Sequence, residues 1–383
     1  MKIGLVTLYR GYNYGTSLQA YALKHFISFL GYETEIIWSA EGVNKGRDVR
    51  ISKILKMLGR CLIHPQLLKH TFLAYKNSFS KKISQQIKTK FLEFANTKLK
   101  VKGLSAQQLQ IFAESKDTLA VVCGSDQIWS ATGANIEPLY FLRFVPQNKR
   151  IAYAPSLGAK TVPEYNKKTL TKYISEIPFV SVREESGAKI IKDLTNKEVP
   201  VLIDPTLLLD WDDSSSKILF NNYIIAYFLD TPSQTALQSI KNVSDKYNCK
   251  IIAFPYKHKV YQQFDNIIYY PAGPQDFIPL IKGAKCVLTD SFHGTIFSVN
   301  LQTPFWTFER NYAIGKGQND RLISILGKMN LQNHYINKFE EKIKDIPTDA
   351  ETMQTAKKWI IAERETSRNF LQNAFRQIGG SND

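Results

Sequence analysis

Apolar runs of strand length alternate with amphipathic stretches of helical period along most of this chain. The first run, Ile3 to Leu8, lies in a strand predicted over Lys2 to Tyr9. A glycine-bounded turn, Gly11 to Gly15, leads from it into a helix expected from Ser17 to Leu30, which Gly31 ends. Strands are then expected at Glu35 to Trp38, Thr118 to Cys123, Arg150 to Ala154, Phe179 to Val182 and Val199 to Ile203. A second alternation has strands at Tyr223 to Leu229, Lys250 to Phe254, Ile267 to Tyr270, Cys286 to Thr289 and Phe305 to Phe308. Its helices are expected at Ser233 to Tyr247, near Pro274 to Ile281, and after Gly294. Such alternation predicts an α/β fold with parallel sheets covered on both faces.

At 383 residues the chain is long enough for two cores. Asp, Ser and Trp replace the apolar pattern over Asp210 to Lys217, which places the boundary there. The expected units are 1–210, with a helical insert at about 45–102, then 211–345, then a C-terminal helix within 346–383 that packs back on the first unit. The last helix is patterned over Thr352 to Ile378. The composition, 44% hydrophobic with 20 Gly and 15 Pro, excludes a disordered, collagenous or coiled-coil chain. Cys61, Cys123, Cys249 and Cys286 lie far apart, so neither a disulfide framework nor a cysteine zinc site is expected, and a reducing compartment fits. The N-terminal apolar run is too short for a signal-peptide core. The longest low-charge stretch, Ser291 to Phe308, is broken by His293, Gly294, Asn300, Gln302 and Pro304, so a soluble or surface-bound protein is expected.

Charge changes the picture. The chain carries a net +16, and 14 basic residues fall between Arg47 and Lys102 against only Asp48 and Glu93. Such a local excess points to a polyanionic partner. Within it, Ile51, Ile54, Leu55, Leu58, Cys61 and Leu62 share one helical face while Arg50, Lys53, Lys56 and Arg60 fall largely on the other. That pattern fits a helix lying on anionic lipid, and equally a solvated helix packed on its own domain. With no recognition motif or zinc module, nucleic acid is not expected as a partner.

Ligands in such sheets bind beyond the carboxyl ends of the strands, so polar clusters that follow a strand are the candidates. Asn13-Tyr14-Gly15-Thr16-Ser17 joins the first strand to its helix, where backbone amides can hold an anion. A capped turn needs the same residues. The glycine spacing matches neither a dinucleotide fingerprint nor a Walker loop, so no cofactor is expected. Gly124-Ser125-Asp126-Gln127 places a carboxylate at a strand end, as a base or as a helix cap. Ser181-Val182-Arg183-Glu184 places a cation there, free for an acidic substrate or paired with a neighbouring glutamate. Asp204-Pro205-Thr206 reads as a turn that shapes the cleft. The sharpest signal is Thr289-Asp290-Ser291-Phe292-His293-Gly294-Thr295, which delivers polar groups and a histidine to the start of a helix. The other histidines show no metal-ligand spacing, so no metal is expected.

These five motifs, with Leu18-Gln19-Ala20 and Ile128-Trp129, occur in an order that resembles the polysaccharide pyruvyl transferase family from Met1 to about Phe308. The resemblance implies two facing Rossmann-type domains of glycosyltransferase (GT-B) type. It also implies transfer of pyruvyl from phosphoenolpyruvate, as donor substrate, to a sugar of a surface polysaccharide, forming a ketal. His293 is then expected to bind the donor and act as acid, and Asp126 to orient or deprotonate the acceptor. Asn13, Tyr14, Gly15, Gly124, Ser125, Asp290, Ser291, Gly294 and Thr295 are expected to line the substrates, with Arg183, Arg310 and Lys316 holding anionic groups and Arg321 a further candidate. A lipid-linked acceptor at the cytoplasmic face would give residues 47–102 a membrane to meet. One departure stands out: many members have Arg two residues before the histidine, where this chain has Ser291. A glycosyltransferase using a nucleotide-activated sugar, and a non-catalytic saccharide-binding subunit, are the alternatives.

Overall fold

The computed structural model describes residues 1–43, 83–133, 136–211, 220–310, 317–337 and 342–380. The expected interfacial helix and Lys316 lie outside the described residues, as does most of the expected domain boundary.

The first sheet comprises β1 (Lys2–Val6), β2 (Glu33–Trp38), β3 (Lys102–Gly103), β4 (Thr118–Cys123), β5 (Arg150–Ala152) and β6 (Phe179–Val180). The second comprises β7 (Tyr223–Tyr227), β8 (Lys250–Ala253), β9 (Ile267–Tyr269), β10 (Cys286–Thr289), β11 (Phe305–Phe308) and β12 (Tyr335–Ile336). Their orders are β3-β2-β1-β4-β5-β6 and β12-β11-β10-β7-β8-β9, and the paired strands run parallel. Each order reverses once, between β1 and β4 and between β7 and β10, giving two Rossmann-like domains with a crevice at each reversal. The central strands read as continuous apolar runs because helices cover both faces: every residue of β4, β7 and β10 is buried.

The helices are α1 (Tyr14–Phe29), α2 (Gln85–Phe94), α3 (Ala106–Glu114), α4 (Glu164–Ser175), α5 (Glu185–Thr195), α6 (Gln234–Lys246), α7 (Pro274–Gly283), α8 (Phe292–Asn300), α9 (Gly317–Lys328) and α10 (Ala350–Gly379). The expected start of α1 at Ser17 is corrected to Tyr14. Asn13 is extended and its side chain accepts the Thr16 N–H at 3.3 Å, so the polar run is a cap and first turn rather than a loop. The expected strand at Val199 to Ile203 is also corrected. It makes one bridge, Val182 to Val201, before Asp204 bonds the Thr206 N–H and turns the chain. The Arg150 strand stops at Ala152, and Ala154 already has φ +48°.

One apolar core runs through both domains. Tyr14, at the start of α1, is fully buried in the second domain's aromatic cluster. It stacks on Phe277 at 4.9 Å, meets Phe254 and Tyr227 edge-on, and donates its hydroxyl to the Ala272 carbonyl at 2.9 Å. α10 spans the other side. Its Arg364 donates to the Leu207 and Leu209 carbonyls at 2.6 and 2.8 Å and to Asn300 Oδ1 at 3.0 Å, and its Phe375 packs on Tyr32.

Candidate functional site

The carboxyl end of β4 supplies the first group. Gly124 has φ +132°, and a Cβ there would lie 1.9 Å from the Tyr153 carbonyl oxygen, so no side chain fits. Ser125 spends its side chain on the Ala154 carbonyl, 2.5 Å away, and its N–H on Gln19 Oε1. Asp126 then takes φ +62°, a left-handed conformation that few residues other than glycine, asparagine and aspartate adopt. Its carbonyl accepts the Ile128 and Ser156 N–H groups, which hold that conformation. Its carboxylate accepts the Thr16 hydroxyl at 2.7 Å from the first turn of α1 and lies 3.8 Å from Arg183 Nη2.

Arg183 follows β6 and is almost fully buried. Nη1 donates to Asp204 Oδ2 at 2.5 Å, and the guanidinium lies 4.8 Å from the Phe292 ring centroid. Burial pushes its pKa down, but the fields of Asp204, Asp126 and Glu184 outweigh that and hold it above the ordinary arginine value. Asp204 shows the converse. Burial disfavours its charge, yet His293, Arg183 and the Thr206 N–H hold its carboxyl well below the usual range. Glu184 lies 3.9 Å from Arg183 Nε through Oε2, the neighbouring-glutamate pairing the sequence left open, while its Oε1 anchors the loop after β5, accepting from Ser156 Oγ and the Leu157 and Gly158 N–H groups. Arg183 Nε and Nη2 remain buried with no hydrogen-bond partner among the described residues.

β10 delivers the third group. Ser291 is the N-cap of α8, its hydroxyl accepting the Gly294 N–H, so His293 occupies the first turn. His293 is buried, and its Nε2 lies 3.6 Å from Asp204 Oδ2 with no hydrogen-bond partner among the described residues. The other side of the ring meets Gly15: a Cβ there would fall 1.9 Å from Nδ1. The start of α1 in one domain is thus pressed against the histidine of the other.

Thr16, Asp126, Arg183, Asp204 and His293 therefore form one linked set, and the remaining expected residues divide around it. Asn13 caps α1, and Tyr14 sits in the interdomain core rather than facing a cleft. Ser291, Gly294 and Thr295 are committed to local structure. Gly294 has Thr289 and Tyr227 where a Cβ would go, and Thr295 Oγ1 contacts Ser291 O and Thr307 Oγ1. Asp290 accepts the Leu229 and Asp230 N–H groups, and Arg310 pairs with Asp230 at 3.2 Å and with Asp290 at 3.6 Å, forming a second polar cluster. Beside Arg183 and Asp204 lies a small pocket, about 480 Å³ of empty space including its open mouth but only about 30 Å³ of interior room, lined also by Phe292, Arg321, Lys328 and Trp359. The motif pattern singled out neither Thr16 as Asp126's partner nor Asp204 as the link between Arg183 and His293. Asp204 was legible as part of the Asp204-Pro205-Thr206 turn that follows an apolar run, but nothing in the sequence pointed to its two partners. Among the described residues no group of three or more His, Cys, Asp or Glu is placed to hold a metal ion.

The model of the family described as polysaccharide pyruvyl transferase matches residues 13–312. A solved UDP-N-acetylglucosamine 2-epimerase is similar in fold, with a TM-score of 0.54 at 10% identity over 99% of this chain and 96% of that chain. A spinosyn forosaminyltransferase gives 0.48 at 9% identity over 99% of both chains. The UDP-GlcNAc 2-epimerase from Neisseria meningitidis bound to UDP-GlcNAc gives 0.45 at 10% over 99% of both. No curated protein matches the chain.

Proposed function

Since the chain belongs to the polysaccharide pyruvyl transferase family, we propose that it moves pyruvyl from phosphoenolpyruvate onto a sugar of a lipid-linked surface-polysaccharide precursor. The observation that carries this reading is the buried cluster of Arg183, His293, Asp204 and Asp126, in which Arg183 Nε and Nη2 lie 3.9 and 3.8 Å from Glu184 and Asp126 but make no hydrogen bond among the described residues. A buried donor without an acceptor costs about 1–3 kcal/mol, which a ligand's phosphate or carboxylate oxygens would recover. The α8 N-terminus beside them favours the same charge.

In the proposed reaction the donor's methylene carbon takes a proton, and the adjacent carbon becomes an oxocarbenium-like electrophile. One sugar hydroxyl adds there, phosphate leaves with its bonding electrons, and a second hydroxyl closes the ketal and releases its proton. In this reading His293, which lies between Gly15 and Asp204, is the acid. In this reading Asp126, whose side chain keeps some exposure, takes the acceptor's proton, and its bond from Thr16 fixes its orientation. Burial of the set excludes water from the electrophile.

A thermal-shift measurement tests the donor, because a ligand that binds only the folded state raises the melting temperature. Phosphoenolpyruvate should raise it, UDP-, GDP- and CMP-sugars should not, and His293→Asn should abolish the shift. A shift with a nucleotide sugar alone would replace this reading by the glycosyltransferase one. That second reading draws on Ser291, which caps α8 where many family members carry a donor-binding arginine.

The basic segment fits an anionic membrane surface where a lipid-linked acceptor would be met. Among the described residues no helix is long and apolar enough to cross a membrane. Lys53→Glu with Lys56→Glu and Arg60→Glu should weaken binding to phosphatidylserine vesicles; unchanged binding would assign the segment to packing within the protein.

A further inference from the structure

A second cavity, with about 1,860 Å³ of empty space including its mouth, lies at the carboxyl edge of the second sheet. The loops leaving β7, β8 and β9 form it, together with the first turn of α2. On the same measure it is several times the size of the pocket beside Arg183. Three half-buried tyrosines, Tyr256, Tyr269 and Tyr270, line it. The Lys257 ammonium lies 5.3 Å from the Tyr269 ring centroid, and His258 meets Tyr256 edge-on while its Nε2 contacts the Phe228 carbonyl at 3.1 Å. Lys257 and Lys259 are exposed.

A pyranose presents two kinds of surface, faces of C–H groups and a rim of hydroxyls. Aromatic faces take the first, and nearby polar groups take the second. A broad cavity with several tyrosines, rather than one narrow slot, suits a chain of such rings, and the lysines suit acidic substituents on it. The cavity opens on the same sheet edge as the Asp290 cluster. Thr231 in its wall directly follows Leu229 and Asp230, whose N–H groups bind the Asp290 carboxylate two residues before Phe292. Tyr256 lies within electrostatic reach of Arg310, Asp230 and Asp290.

We propose that this cavity, walled by Tyr256, Tyr269 and Tyr270 and flanked by Lys257 and Lys259, is the subsite that holds the saccharide acceptor, with its reacting sugar directed past Asp290 toward His293. The proposal rests on the pyruvyl-transfer reading for the class of acceptor alone. It is tested with the full chain on an array of short neutral and uronic-acid-containing oligosaccharides, beside the phosphoenolpyruvate thermal shift. The wild-type chain should retain at least one oligosaccharide. Tyr256→Ala and Tyr269→Ala should weaken that binding about tenfold, whereas Tyr256→Phe and Tyr269→Phe, which keep the ring faces, should retain it. The phosphoenolpyruvate shift should be unchanged in all four. Should the alanine variants fail to fold, the exposed Lys257→Glu carries the test through lost binding of the acidic oligosaccharides. No retention of any oligosaccharide, retention equal to wild type in the alanine variants, or a UDP-sugar response that these variants abolish would each overturn the assignment. Loss of the donor shift in wild type with saccharide binding intact would instead overturn the pyruvyl-transfer reading and leave the subsite standing.

Discussion

At position 15 a single hydrogen in place of a side chain sets where His293 lies. Gly15→Ala would drive a methyl group into the imidazole, and the ring would have to leave Asp204 or the two domains would have to part. We expect transfer activity to fall about 100-fold, the scale of misplacing a reacting group by about 1 Å. Stability should fall by about 1–3 kcal/mol, read from denaturant unfolding. Asp290 gives a pH-dependent counterpart. Burial pushes its carboxyl up to about 6, against the pull of Arg310 and with the push of Asp230. The folded chain therefore keeps this proton to higher pH than the unfolded chain, so ionising it between about pH 4 and 6 costs stability. Asp290→Asn removes that step, and its melting temperature relative to wild type should rise across this window. Asp204, whose carboxyl is held low, has the opposite sign: its contribution is lost only as pH falls below the usual carboxylate range.

Among the elements, the beginnings of α1 and α8 carry the site. α8 is reached from β10 by the short polar turn Asp290-Ser291 and α1 from β1 by a longer loop, Thr7 to Asn13, and each is capped by one side chain, Ser291 or Asn13. The cap explains why a small polar residue stands at 291: its hydroxyl accepts the Gly294 N–H, and the residue is buried. Ser291→Ala should cost about 1 kcal/mol in unfolding free energy. Ser291→Arg, which restores the residue common in the family, should be more destabilising and should not strengthen the phosphoenolpyruvate shift, because the cap is lost and a long cation must enter a buried position.

Across the whole molecule, the two domains meet through apolar packing at Tyr14 and through the span of α10, so the site depends on their relative position. Tyr14→Phe removes only the hydroxyl that donates to Ala272 and should cost about 1 kcal/mol. Tyr14→Ala opens a cavity between the domains and should cost about 3–5 kcal/mol, with activity falling further than in the Phe variant although neither touches a reacting group. Equal activity in the two variants would show that domain docking does not limit catalysis.

Much of this was legible along the chain because it is local. Apolar runs at strand length, the helical periodicity between them and the polar turns at strand ends are written in neighbouring residues, and they placed Asp126, Arg183 and His293 at carboxyl edges. What the chain did not disclose concerns partners far apart in sequence. Asp204 joins Arg183 to His293, Thr16 meets Asp126, and Tyr14 belongs to the core of the other domain. Periodicity marks which face of an element is buried but not what covers it, and a polar residue after a strand looks alike whether it caps a turn or awaits a ligand. Only the packing of two sheets against each other decided between those roles, because a hydrogen bond or a close contact is a property of two positions in space rather than of one in sequence.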